Sequence, residues 1–284
     1  MEESRTGRSL PCLAFKMSIS ITPKNWQALA ARVAFVALVL LVVAQPTWAL
    51  TPAAAKHGMV VAAEPLASDV GVEILRSGGN AVDSAVAVGF VLAVTYPFAG
   101  NIGGGGFMLI RMAAGEAVVI DYREEAPEGA SRNMYLNAQG EVTPKATTLG
   151  PLASGVPGTV AGLALAEQKY GKLGLARVLE PAIRLAEDGF RVDYRFSQSL
   201  LNYREHLSKF AETRHIFLRD GRPYEGGEIF RQPELAQVLR QIAQGGPGVF
   251  YRGSVAKAIA ATMEKYHGMM TLKDLEEYQA KIRS

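Results

Sequence analysis

Residues 81–97, AVDSAVAVGFVLAVTYP, limit most strongly what this chain can become, because as a helix they are apolar on nearly every face. A helix with no polar side belongs in the interior of a water-soluble protein, between layers. Asn80 stands at the N-cap position with Asp83 at N3, near the positive helix end, and Pro97 closes the run. Upstream, MVVAAEP (59–65) predicts a short buried strand ending at Pro65. LASDVGVEILRS (66–77) predicts a helix with Leu66, Val70 and Ile74 on one face, stopped by Gly78-Gly79. Downstream, GNIGGGGFMLIR (100–111) carries four consecutive glycines. FMLIRM (107–112) and AVVIDYR (117–123) then read as a hairpin joined by AAGE. Residues 124–157, rich in Gly, Pro, Thr and Ser, read as a long ordered excursion. Helical patterns follow at 158–169, 175–188 (kinked or started at Pro181), 195–210, 233–243 and 253–266. A last short helix, LKDLEEYQ, is capped by Thr271 with Asp274 at N3. Strands do not alternate with helices, so the expected class is α+β, with helices over an antiparallel sheet rather than a doubly wound parallel one. Two or three strands make a poor sheet for a buried helix, and part of the sheet is expected to be missing from this chain.

The first fifty residues obey other rules. Lys16, Lys24 and Arg32 precede the apolar run VAFVALVLLVVA (33–44), which exits through QPTWAL. That is the pattern of a secretory signal over residues 1–49, cleaved after Ala49, with Met17 as an alternative start. The run is shorter than the roughly 18–20 residues a spanning helix needs, so no stable membrane anchor is expected after cleavage and the remainder, 50–284, is expected to be periplasmic or secreted. The leader takes five basic residues (Arg5, Arg8, Lys16, Lys24, Arg32) and two acidic ones (Glu2, Glu3) with it. From 30 Lys/Arg and 27 Asp/Glu, equal numbers of each sign then remain. A balanced surface offers no footprint for nucleic acid. Cys12, the single cysteine, also lies in the leader, so the remainder has no disulfide, cysteine nucleophile or thiolate metal site.

The glycine run invites a phosphate-binding reading, and its context argues against one. No Lys-Ser or Lys-Thr pair follows it, and the order is helix, glycines, strand, the reverse of a dinucleotide fingerprint. No helix dipole is expected to point at the loop. The glycines read instead as suppliers of positive φ and of close backbone approach, or as a floor for a ligand. His57, His206, His215 and His267 are scattered without metal-ligand spacing, and no cofactor or metal is expected. Ser154 in LASGVPG lacks the first glycine of a nucleophile elbow. Adjacent Glu124 and Glu125 would point to opposite faces of a strand. Arg123, in DYREEAP at the end of the second β-run, can present a bidentate fork to a carboxylate, or can form a structural ion pair with Asp121 or Glu124. The residues themselves supply no nucleophile, base or metal.

Several long motifs carry a resemblance to a known family. MVVAAEPLASDVGVEILRSGGNAVDSAVAVGFVLAVTYPFAGNIGGGGFMLIR, IDYREEAP, GVPGTVAGLALAEQKYGKL, LEPAIRLAEDGF and TLKDLEEYQAKIR resemble, in order, the N-terminal part of the large subunit of γ-glutamyltranspeptidase. The resemblance covers residue 56 to the C-terminus. It implies an N-terminal nucleophile hydrolase with an αββα sandwich, incomplete in this chain. It implies a proenzyme that cuts itself into two subunits, the new N-terminal threonine of the small subunit being both nucleophile and, through its amine, base. The implied reaction takes the γ-glutamyl group of glutathione or related amides and passes it to water, an amino acid or a peptide through an acyl-threonine. Arg123 is implied to bind the α-carboxylate of the γ-glutamyl group. The implied nucleophile lies beyond Ser284, so the chain is expected to need a partner small subunit and to be inactive alone. Two alternatives stand beside this: a related acylase of different acyl specificity, and an inactive secreted fragment that binds carboxylates.

Overall fold

The computed structural model describes residues 23–43 and 53–283, which fall into two compact units, Met1–Ala54 and Ala55–Ser284. The described part of the first is one helix, α1 (Pro23–Val43), and no described helix is long and apolar enough to cross a membrane. The expected cleavage point after Ala49, and Cys12, lie outside the described residues.

In chain order the second unit contains α2 (Pro65–Arg76), α3 (Ala81–Thr95), β1 (Phe107–Arg111), β2 (Ala117–Asp121), α4 (Thr159–Tyr170) and α5 (Leu175–Asp188). There follow β3 (Phe190–Arg191), α6 (Tyr194–Asn202), α7 (Arg204–Leu207), α8 (Ala211–Phe217), β4 (Leu218–Arg219), β5 (Arg222–Pro223) and β6 (Ile229–Phe230). The chain continues through α9 (Pro233–Gly245), α10 (Gly248–Tyr251), α11 (Ser254–Lys265), α12 (Leu272–Glu277) and β7 (Lys281–Arg283).

The apolar helix α3 lies at the centre, packed on α2, α4 and α5, with Val86, Phe90, Val91 and Val94 all at 0% exposure. A capping box starts it. The Asn80 side chain accepts from the N–H groups of Val82 and Asp83, and the Asp83 carboxylate accepts from the Asn80 N–H at 2.6 Å. At its other end, the buried Gln232 amide donates to Val94 O at 2.9 Å, tying in the start of α9. Among the described residues the main sheet is antiparallel, in the order β1-β2-β7, with Leu109 opposite Val119 and Ile120 opposite Ile282. Ile110, Val118 and Ile120 face the core, where α4 packs on both hairpin strands. Alternation sends Phe107 and Leu109 to the other face, where both are exposed.

The strand expected at 59–65 does not form. Met59 and Val61 are exposed with no strand alongside among the described residues, and Glu64 caps α2 by accepting the Ala67 N–H at 3.0 Å. Helix α5 runs through Pro181 without restarting there. The expected 195–210 helix is divided at Tyr203, and 253–266 starts only after Gly253. The cap expected at Thr271, with Asp274 at N3, is present and closes as a capping box.

Candidate functional site

Strand β2 delivers Arg123 to the site, and the ladder continues one pair beyond the strand. Tyr122 N–H donates to Gly106 O at 2.9 Å, and Gly106 N–H to Tyr122 O at 3.2 Å. The next N–H, that of Arg123, donates to Asp121 Oδ1 at 3.1 Å, a local turn that lifts the chain out of the sheet. The Arg123 carbonyl accepts from Tyr278 Oη at 2.9 Å, and its side chain is 69% exposed, with Nε 3.2 Å from Glu124 Oε2. Both roles open to this arginine are therefore geometrically available: it pairs with Glu124 and still presents its outer edge to solvent.

The glycine run forms the wall behind Arg123, and it does so without unusual dihedrals. None of Gly103–Gly106 has positive φ, contrary to that expectation; Gly115 in the hairpin turn does, at 97°. Close approach is what the run requires. A Cβ at Gly105 would overlap Tyr122 O and the Glu124 backbone, and one at Gly106 would press the Tyr122 ring. From the other side, a Cβ at Gly158 would overlap the same carbonyl and one at Gly162 the same ring. Tyr122 is therefore held between two glycine surfaces. The start of α4 does point at the loop, also contrary to expectation. Gly104 O accepts the N–H groups of Gly158 at 2.7 Å and Thr159 at 3.0 Å, so these helix-terminal donors are used by protein rather than left for an anion.

Charge around Arg123 is distributed by the segment 271–283. Arg283 Nε meets Asp121 Oδ2 at 2.6 Å, and Lys281 Nζ meets Glu125 Oε1 at 2.5 Å. Lys273 pairs with Glu128, whose N–H donates to Asp274 Oδ1. Asp121 is held below the usual carboxylate value by the Arg123 N–H first and then by Arg283. Burial, with the charges of Glu125, Asp121 and Glu124 adding, pushes the Tyr278 hydroxyl up, keeping it a neutral donor. Glu124 and Glu125 take different partners, as expected of neighbours on an extended chain. Ser154 caps a short 3₁₀ turn, and among the described residues no three His, Cys, Asp or Glu side chains gather as a metal site.

A second polar cluster lies elsewhere, beside a cavity of about 740 Å³ that Arg123 does not line. Asp83, fully buried, accepts N–H groups from Asn80, Lys172 and Leu173. Glu167, 4% exposed, accepts the Gly174 N–H through Oε1, while its enclosed Oε2 meets no donor. The two carboxyl groups are held by the same stretch of backbone, Asp83 by the N–H groups of Lys172 and Leu173 and Glu167 by that of Gly174. Burial, and then Asp83, push Glu167 up to about 7; in Asp83 burial works the same way but is outweighed by the backbone donors, which hold it low. Of the two, Glu167 is therefore the one that holds a proton more tightly than an ordinary carboxylate.

Arg123 and its neighbours Asp121, Glu124 and Glu125 stand out in the sequence. Tyr278, Lys281 and Arg283 do not, although Lys281 and Arg283 repeat at the period-two spacing of Asp121, Arg123 and Glu125, a strand-pairing signal.

Comparison with known proteins adds the remaining observation. The Gamma-glutamyltranspeptidase family model matches residues 67–284. The chain is 47% identical over 234 residues to a glutathione hydrolase proenzyme of Escherichia coli, covering 82% of this chain and 40% of that protein. It therefore spans about two fifths of the length of the curated relatives it matches. Among solved structures, Helicobacter pylori γ-glutamyltranspeptidase superposes with a TM-score of 0.81 at 44% identity, covering 82% of this chain and 67% of that one. Cephalosporin acylase from Bacillus halodurans superposes at 0.73 with 28% identity, covering 85% and 46%. The expected α+β class, an incomplete N-terminal nucleophile hydrolase fold, stands. This chain belongs to the γ-glutamyltranspeptidase family.

Proposed function

We propose that the chain forms the γ-glutamyl-binding portion of an enzyme that cleaves the γ-glutamyl amide of glutathione and related compounds. The enzyme passes the acyl group to water, amino acids or peptides through an acyl-threonine whose nucleophile is supplied by a small subunit. Residues 1–49 serve as a signal peptide, and 50–284 act in the periplasm or outside the cell. The observation that carries this reading is the position of Arg123 at a strand end, its backbone packed against the glycine run and its guanidinium partly free, in a chain of this family. In its role the guanidinium would exchange part of its contact with Glu124 for a bidentate grip on the substrate α-carboxylate. That grip fixes which end of the substrate faces the nucleophile.

The test continues residues 50–284 with the C-terminal portion of the Escherichia coli relative and follows p-nitroaniline release from γ-glutamyl-p-nitroanilide. Arg123→Ala is expected to lower kcat/KM about 10- to 100-fold, the loss of a charged hydrogen-bond pair. The 4-aminobutyryl anilide, which lacks the α-carboxylate, should be turned over poorly and be indifferent to that substitution. Equal losses on both anilides would remove the assignment. The likeness to cephalosporin acylase keeps a second reading open, an acylase of different acyl group, which preferential turnover of a glutaryl anilide would favour. A third, a secreted carboxylate-binding fragment, is favoured if the chain alone binds L-glutamate through Arg123.

A further inference from the structure

We propose that the segment 271–283 is a clamp that positions Arg123, Tyr278 holding its carbonyl while Arg283 and Lys281 draw off the carboxylates that would otherwise occupy its guanidinium. The inference rests on the reading of Arg123 as a carboxylate-binding group and adds the residues that make it competent.

The stretch 121–125, Asp-Tyr-Arg-Glu-Glu, puts three carboxylates beside one guanidinium. Left alone, such a segment repels a carboxylate ligand and offers the arginine three internal partners. The structure divides these partners. Asp121 has both oxygens engaged, Oδ1 by the Arg123 N–H and Oδ2 by Arg283. Glu125 is engaged by Lys281, leaving Glu124 as the one acid paired with Arg123 among the described residues. The backbone is fixed independently. Tyr278 is 7% exposed and lies parallel to Tyr251, with centroids 5.7 Å apart and planes at 11°. The Tyr251 hydroxyl in turn donates to Pro157 O and accepts the Ala161 N–H, so the Arg123 carbonyl is tied to the start of α4 through two stacked rings. Exposed ion pairs contribute little to stability. Their consequence here is local: they set the field and the free valence at one arginine.

The test follows the Nε–H resonance of Arg123 in the ¹⁵N-labelled chain, assigned by its disappearance in Arg123→Lys. Arg283→Ala is expected to move this resonance as Asp121 is released toward the guanidinium. The double variant Asp121→Asn/Arg283→Ala is expected to return it toward the wild-type position. Tyr278→Phe, which keeps the ring and the stacking, should move the Arg123 backbone amide. An Arg123 resonance unchanged in Arg283→Ala would overturn the clamp, whatever ligand binds. In the continued enzyme described above, Arg283→Ala should raise KM for γ-glutamyl-p-nitroanilide about fivefold with kcat little changed, and the effect should shrink in high salt. Rescue by Asp121→Asn separates a charge effect from a fold defect, since a merely structural loss of Arg283 is not repaired by deleting its partner. If Arg123→Ala leaves kcat/KM unchanged while the resonances shift as described, the carboxylate-binding reading falls and the hold of the 271–283 segment on Arg123 stands.

Discussion

Between about pH 4.5 and 7 the folded chain should lose roughly 2–3 kcal/mol of stability as the pH rises, and Glu167→Gln should abolish that slope. Glu167 has an ordinary value of 4.5 and reaches about 7 when folded. Within that interval the native state holds a proton that the unfolded chain has released, so raising the pH favours unfolding. Below the interval the contribution is fully present, and above it the loss is complete. Glutamine keeps the oxygen that accepts the Gly174 N–H and the donor that faces Asp83, but it does not titrate. The variant should therefore match the wild type near pH 4.5 and exceed it at pH 8. Asp83, held low, works in the opposite sense, its contribution fading as the pH falls below 3.8. Asp83→Ala should cost about 3–5 kcal/mol at any pH above that, because three buried N–H groups lose their acceptor. Urea denaturation across the pH range measures all three chains, and parallel profiles for wild type and Glu167→Gln would refute the raised titration of Glu167.

Gly158→Ala should be nearly as damaging, about 3 kcal/mol, for a purely steric reason. The φ of Gly158 is −113°, which any residue adopts, so backbone strain plays no part. A single methyl would overlap the Tyr122 carbonyl and the Tyr278 hydroxyl together. The carbonyl cannot retreat, because Gly106 N–H bonds it from the other side. Adding Tyr278→Phe removes only the hydroxyl overlap and should recover a minor part of the loss. Gly248→Ala, where a Cβ meets nothing within 4 Å, is the control and should leave the thermal midpoint nearly unchanged. Equal midpoints for Gly158→Ala and Gly248→Ala would show that the two glycine surfaces do not grip Tyr122.

What can be read from the residues follows from how local each signal is. Helix α3 and its capping box are legible because both the pattern and the cap lie within one run of chain, and the β1–β2 hairpin because its turn is short. The 59–65 strand fails for the complementary reason: a run of valine and alanine is compatible with a strand, but a strand exists only beside a partner. Pairs such as β3 with β6 are two residues long, too short for alternation to register. The place of Arg123 just past a strand end is legible from the β-run that leads to it. The four glycines are conspicuous but only half explained by their own neighbourhood, because close packing on Tyr122 depends on what α4 brings from about fifty residues downstream. Likewise Asp83 reads as a helix cap, and only the fold shows that it also holds the 172–173 backbone and Glu167.

The distances along the chain that separate Arg123 from its clamp have a bearing on how the protein is made. The ties that Tyr278, Lys281 and Arg283 make to the 121–125 stretch span 155 to 162 residues, whereas the hairpin that carries Arg123 closes over about a dozen. Loop-closure entropy makes such remote contacts late ones. During synthesis the strand bearing Arg123 is complete long before Tyr278 is translated, and only then can the arginine acquire its final setting. Arg123 is thus among the last features of this unit to reach its final setting, and a ribosome that stalls before residue 278 leaves a chain whose hairpin is complete and whose arginine lacks its remote ties.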